Sequence, residues 1–425
     1  MEPGLDETMN AVHPLLRRQF LERSLLAASG IGIGSAIAPK WLQGATWNAG
    51  DKSGRVLVVI QLSGGNDGLN TVIPIDDPEY KKRRPKLAIA KADAISIPQD
   101  LALHPSLKGV AGLLEAGRFM LVQGVGYPSP NRSHFESMDI WHSCTTKDKR
   151  GRTGWLGRWL DQQQAADKNQ ENQDSLAMHL GAEVQPFALT ALDVQVPSLS
   201  SIEQFRFKVD TDPQTANSVA KMESVTGKSV NNDLLDFVAS TTESAVTASD
   251  RIEKALKQSA AAGEFPDSQL GQKLQVIARL IKAGLQTSVY YVTLDGFDTH
   301  AQQPAAHAAL LNQWSEALTA FVKYLESSGD LERTLVMTFS EFGRRVAENA
   351  SDGTDHGAAA PMFFAGAKID QPIVGKHPSL TDLDDGDLKH HTDFRSVYAS
   401  VLEQWLKTPA EPTLGEEFAS LKLFG

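Results

Sequence analysis

The stretch VLVVIQLSGGNDGLN (56–70) decides the fold. Residues 56–62 are apolar apart from Gln61, and a continuous run of this length reads as a strand covered on both faces, since a half-exposed strand would alternate. The SGGNDGLN that follows supplies Gly, Asn and Asp, which tolerate the geometry of a tight turn. The same grammar recurs at Phe119–Val125, Ser288–Leu294, Thr334–Phe339 and Met362–Ala365. Helical patterns separate these runs at Leu101–Ala116, Asp267–Gly284, Ala305–Ser328 and Asp393–Leu406. Strands alternating with helices predict an α/β fold, a three-layer sandwich with a mostly parallel central sheet.

In such sheets ligands collect beyond the carboxyl ends of the strands. The predicted strands are followed by SGGNDGLN (63–70), GYPSPNRSHFES (126–137), DGFDTH (295–300) and SEFGRR (340–345), while TDHG (354–357) stands just before the last. These segments would bring Asn66, Asp67, Ser133, His134, Asp295, Asp298, His300, Glu341, Asp355 and His356 to one edge. Carboxylates and imidazoles gathered in this way suit a divalent cation, one or two ions of Zn, Mn, Mg or Ca. Ser133 opens a predicted helix, Ser133–Trp141, where free amides favour an anion. Its hydroxyl is a candidate nucleophile, with Asn131, Arg132 or His134 placed to steady the charge that develops, and Asn66 joining Arg132 in that role in a hydrolase.

Each element also has a plainer reading. Ser133 with Glu136 has the form of a capping box. Glu341 can pair with Arg344 or Arg345, and Asp355 with His356. Asp393 after His390 and His391 reads as a helix cap, and Trp155 and Trp159 as packing. Arg132, Arg152 and Arg344 are the candidates for contacting an anionic substrate.

The 425 residues carry a net charge of −11, which argues against a basic nucleic-acid surface. The single cysteine, Cys144, excludes an intrachain disulfide and a Cys-rich zinc site. Residues 1–45 read as an export signal: Arg17 and Arg18 precede Gln19, Phe20 and Leu21, and an apolar small-residue run from Leu25 to Ala38 follows. RRQFL looks like a twin-arginine signal, which predicts export in the folded state to the periplasm or beyond. No later run is long enough for a membrane span. Residues 46–425 then form the α/β domain, with a polar insertion or lid at about 160–265. Within that insertion Phe187–Leu192 is a candidate strand and Val230–Gln258 has helical patterning.

The motifs QLSGGNDGLNTVIP, NRSHFES, GRTGWLGRW, LDGFDTHAQQ, TFSEFGRR, DHGAAAPMFFAG and HHTDFRSVYASVLEQW resemble the alkaline phosphatase and sulfatase superfamily. The closer resemblance is to a twin-arginine-exported bacterial branch known as a domain of unknown function. It implies an alkaline-phosphatase-like fold and an exported metal-dependent hydrolase of phosphate or sulfate esters, acting on a small-molecule or polysaccharide ester. A metal-containing binding or assembly protein of the envelope is the alternative. On this resemblance Asp67 and Glu341 match acids of one metal, Asp295, His300 and His356 match ligands of the other, and Ser133 falls near the nucleophile. Phe342 stands where the superfamily usually has histidine, which removes a nitrogen ligand from the first metal. The wider spacing of Asp295 and His300 leaves Asp298 as an alternative ligand, and Asp355 is a candidate replacement.

Overall fold

The computed structural model describes residues 54–166, 174–199, 251–252, 254–256 and 263–424. The twin-arginine segment and most of Val230–Gln258 lie outside the described residues, which all belong to one compact unit. Its centre is a nine-stranded sheet in the order Ile373–Val374, Phe119–Gly126, Ala360–Gly366, Thr334–Phe339, Val56–Leu62, Val289–Leu294, Ala177–Leu180, Ser198–Leu199, with Thr392–Asp393 also pairing Phe119–Gly126. Val56–Leu62 lies at the middle, parallel to both neighbours, with Ile60 opposite Val292 on one side and Thr338 on the other.

Every residue of Val56–Leu62 is buried, as its unbroken apolar run predicts. Side chains alternate across a strand, so Val56, Val58, Ile60 and Leu62 join one core with residues of the helices Lys108–Glu115, Gln269–Lys282 and Gln303–Ser328. Leu57 and Val59 join the other core, with residues of His134–Ser143, Trp155–Ala166 and Phe394–Ser400. The fold is therefore α/β with helices on both faces of a mixed, mostly parallel sheet. Trp155 and Trp159 are core residues, and the Trp155 ring stacks on Tyr398 at 4.4 Å.

One strand runs against the rest. Ala360–Gly366 is antiparallel to both Thr334–Phe339 and Phe119–Gly126. Reversal puts the start of this strand at the edge where its neighbours end. That is why TDHG, which precedes its strand, reaches the same edge as loops that follow theirs.

Three expectations need correction. The helical pattern from Leu101 begins as a strand, Leu101–Leu103, which pairs with Val72–Ile73 and Ile95–Ile97; the helix proper is Lys108–Glu115, after the Pro105–Leu107 turn. Phe187–Leu189 is a 3₁₀ turn rather than a strand. The expected insertion at 160–265 includes a segment that belongs to the main domain, because Ala177–Leu180 is a parallel strand of the central sheet, beside Val289–Leu294. It is short enough to be masked by its polar surroundings in sequence. Finally, no helix among the described residues is long and apolar enough to cross a membrane.

Candidate functional site

Two layers of polar side chains meet at the carboxyl edge of the sheet. The upper layer is a cluster of His134, Asp298, His300 and His356. His134 begins the helix His134–Ser143, Asp298 and His300 lie in the loop after Val289–Leu294, and His356 precedes the antiparallel strand. The turn after Val56–Leu62 packs tightly beneath them. Gly64 has φ +113°, and a Cβ there would fall 2.4 Å from the backbone nitrogen of Asp298, so only glycine fits.

The Asp298 Oδ1 is the centre of the cluster. It lies 3.1 Å from His300 Nε2, 3.2 Å from His356 Nε2 and 3.4 Å from His134 Nε2, and it accepts a 2.7 Å bond from Arg344 Nη2. Burial alone would raise its pKa, but the Arg344 and His356 hydrogen bonds with the Arg344 and His300 charges bring it down to about 2.

The other ring nitrogens are all engaged from behind. His356 Nδ1 lies 2.7 Å from the Arg132 carbonyl, His134 Nδ1 lies 2.9 Å from Glu341 Oε1, and His300 Nδ1 lies 3.1 Å from Asp355 Oδ1. Carbonyls and carboxylates only accept, so a proton on each Nδ1 satisfies these contacts and is the tautomer that would leave Nε2 for a cation, whereas without a cation an Nε2 proton is what binds the Asp298 carboxylate. The His300 and His356 Nε2 atoms stand 2.8 Å apart, a distance that needs a proton on one of them or a cation shared by both. His134 Nε2 is buried without a hydrogen bond. Three imidazoles held through Nδ1 by outer oxygens, with Nε2 converging on a carboxylate, have the arrangement of metal-ligating histidines. His134, Asp298 and His356 bring one donor atom each within 4.8 Å of one another. The hydrogen bond from His134 to Glu341 raises the His134 pKa against the effect of burial, whereas burial lowers that of His356.

The lower layer contains the remaining expected ligands, differently used. Asp67 is fully buried. Its Oδ2 accepts 2.5 Å bonds from Arg84 Nη1 and Gln303 Nε2, and its Oδ1 caps the short helix Gly68–Thr71 through Asn70 N. Burial pushes its pKa up, but the Arg84 charge and hydrogen bond, with His307 and Gln303, hold it below the ordinary carboxylate range. A guanidinium thus occupies the flank where a cation was expected. Asn66, expected to steady an anion, is also buried; its Oδ1 accepts from Thr71 Oγ1 and lies 3.0 Å from His307 Nε2. Glu341 is an outer partner rather than a ligand: Oε1 accepts from Gly64 N and faces His134, while Oε2 accepts from Ser340 Oγ. Asp355 likewise backs His300. Asp295 is exposed and stands outside the cluster.

The capping box does not form, because the Ser133 hydroxyl makes no capping bond and Glu136 pairs with Arg150. Ser133 is exposed, between Arg132, whose carbonyl backs His356, and the ligand-like His134. Arg344 is not a surface partner of Glu341. It is buried and ties four backbone carbonyls, those of Gly64, Gly65, Phe297 and Thr354, to Asp298. The Arg132 guanidinium turns to Asp385 and Asp387. Arg152 is exposed, and Asp393 caps the helix Phe394–Ser400 as expected. Sequence reasoning missed Arg84, Gln303 and His307. The only signals were the KKRRP and QQP motifs, which resemble an ordinary basic turn and an ordinary helix start.

The profile of the family described as "Protein of unknown function (DUF1501)" matches residues 54–405. The chain belongs to this family. No match emerges among curated protein sequences. Among solved structures, the chain is similar to a protein in the alkaline phosphatase superfamily from Vibrio parahaemolyticus, with 10% identity, a TM-score of 0.38, and coverage of 94% of this chain and 78% of that one. It is similar to the PsFucS1 sulfatase from Pseudoalteromonas sp., with 11% identity, a TM-score of 0.37, and coverage of 96% and 75%. A third is the integral membrane lipooligosaccharide phosphoethanolamine transferase A from Neisseria meningitidis, with 10% identity and a TM-score of 0.35; the match takes in 83% of this chain but only 55% of the transferase. Scores this low carry no argument about residues or chemistry, and the fold assignment rests on the strand order itself.

Proposed function

We propose that the protein is an exported, metal-dependent hydrolase of phosphate or sulfate esters. The observation that carries this reading is the convergence of three imidazole Nε2 atoms on Asp298 Oδ1, with every Nδ1 held by an oxygen behind it. His134, Asp298, His300 and His356 would hold one divalent ion. Three imidazoles and one carboxylate suit Zn or Mn better than Mg or Ca, which prefer oxygen ligands. Such an ion, when bound, supplies Lewis-acid stabilisation of charge on an ester oxygen.

The remaining roles fall to the chain. Ser133 is the proposed nucleophile, since its hydroxyl is exposed and spends no bond on capping. Attack on the ester would release the alcohol, and water would then free the phosphate or sulfate. Glu341 and Asp355 would hold His134 and His300 in the tautomer that offers Nε2. Arg344 would fix the loop carrying Asp298. The twin-arginine motif in residues 1–45 supports export to the periplasm or beyond.

The test is turnover of aryl phosphate and aryl sulfate esters by metal-loaded wild type and Ser133→Ala. Hydrolysis by wild type, with loss in the variant at equal metal content, is expected. Equal turnover in both would remove Ser133 from the mechanism, and no turnover on either ester class would remove the hydrolase reading. The second reading, a metal-containing envelope protein without catalysis, is favoured by one observation: Asp67 is sealed by Arg84, so its carboxylate is already satisfied without a second ion.

A further inference from the structure

Beside the histidine cluster, two arginines share a carboxylate that lies on a hairpin tip. Arg132 Nη2 lies 3.0 Å and Arg345 Nη2 3.4 Å from the same oxygen, Asp385 Oδ2. The strands Leu383–Asp384 and Asp387–Leu388 form the hairpin, and its two turn residues, Asp385 and Gly386, both have positive φ, +49° and +86°. Asp385 is the exposed member, with a side chain 75% accessible, whereas Asp387 is 3% accessible and binds Arg132 from beneath at 2.7 Å. The guanidinium of Arg132 is therefore anchored by a buried acid, and its outer contact is a solvent-facing carboxylate.

We propose that Arg132 and Arg345 form a subsite for an anionic oxygen group, self-occupied by Asp385, which a second negative group on the substrate displaces. Arginine presents donors in a planar fork suited to carboxylate, phosphate and sulfate oxygens, so a pair already gripping one such oxygen accepts another of the same kind. Exposed ion pairs of this type are weakly held, which makes displacement inexpensive. The subsite lies beside the reaction centre rather than in it. The Arg132 carbonyl faces His356 while its guanidinium faces the hairpin, and the Arg345 backbone N–H bonds the Asp355 carbonyl while its side chain also reaches the hairpin. A group bound there would belong to the substrate beyond the bond being cleaved, so the preferred esters carry at least two negative groups. This substrate class rests on the hydrolase reading; the anion subsite does not. It also resolves how a chain with net charge −11 takes an anionic ligand, because the acid that guards the pair moves aside.

The experiment is calorimetric titration of chelator-treated full-length protein with inorganic phosphate and, separately, acetate, at low and moderate salt. Asp385→Asn keeps a side chain that tolerates positive φ and removes the competing charge. Its affinity for phosphate should exceed that of wild type by roughly threefold to fivefold, the scale of one exposed charged pair, and should fall as salt rises. Adding Arg345→Gln should erase the gain. A stronger gain with phosphate than with acetate assigns the site to a tetrahedral group, and the reverse to a carboxylate; either supports the subsite. Equal affinity of wild type and Asp385→Asn for both anions, or a gain that survives Arg345→Gln, would overturn it. Thermal midpoints of the same variants identify any loss of fold. Because the titration contains no metal and no ester, its failure leaves the hydrolase reading standing, and failure of that reading leaves the titration interpretable.

Discussion

The upper and lower polar layers use the same residue types to opposite ends. In the lower layer Asp67 meets Arg84, Gln303 and an Asn70 amide, and the Arg84 guanidinium also reaches Asn70 Oδ1 and the carbonyls of Arg345 and Val346. Every strong donor there has an acceptor. In the upper layer Asp298 meets three imidazoles whose Nε2 atoms crowd one oxygen, and that of His134 makes no hydrogen bond. A polar cluster saturated by its own chain holds loops together, whereas imidazoles converging on one carboxylate form a group that could hold a cation.

The largest expected effect lies in the lower layer. Arg84→Ala leaves Asp67 buried and unpaired, and removing one partner of a buried pair costs about 3–5 kcal/mol. Urea unfolding of metal-free protein should report that loss; a change no greater than that of a surface substitution would mean that the layer does not hold the fold.

Acid should act on the interior next. Burial moves His142 from 6.5 down to about 3, and His104 and His307 down to about 4. Between pH 6.5 and about 4 the unfolded chain binds more protons at these groups than the folded chain, so their contribution to stability falls as pH falls through that window. His134, whose pKa is raised by Glu341, works the other way: its contribution is present in acid and is lost as pH rises through its folded value. Metal-free protein should therefore show a falling urea midpoint from pH 7 to pH 4.5, because these three, with His356, His377 and His390, which burial also lowers, outnumber the raised His134. A flat profile would break the contrast between a neutral interior and a titrating edge.

Smaller effects distinguish the cluster from its surroundings. Glu341→Gln should weaken metal affinity by about 10–100-fold, the usual consequence of altering an outer partner of a ligating histidine, without abolishing binding. Competition with a chelator would measure it, and complete loss of binding would make Glu341 a direct ligand. Asp295→Ala should change neither metal affinity nor, beyond about 0.5 kcal/mol, stability. A loss of metal there would restore the ligand set implied by resemblance.

The central strands were legible because continuous apolar runs have few other uses: Val56–Leu62 and Thr334–Phe339 begin and end where the sequence places them. Ala177–Leu180 was not legible, because AMHL carries a buried histidine and follows a polar stretch. The site was legible as an edge but not as a set of bonds. Strand order brings Asp67, Asp298, Glu341 and His356 near one another, and nothing in their spacing says that Arg84, from a basic turn, will reach beneath the sheet edge and take Asp67. The sequence pattern also assigned His134 to stabilising charge, while its ring nitrogens place it among the ligand-like side chains. The distinction depends on which way Nδ1 faces, and that is settled by Glu341, distant in sequence.

The central claim is that one ion binds through the upper layer alone. Metal content per chain, measured by elemental analysis on protein loaded with Zn or Mn and then freed of excess, tests it most directly in wild type, His134→Ala and Asp67→Asn. The account predicts one equivalent in wild type, loss in His134→Ala, and one equivalent in the folded fraction of Asp67→Asn. Two equivalents in wild type, or metal lost from folded Asp67→Asn and retained in His134→Ala, would contradict it.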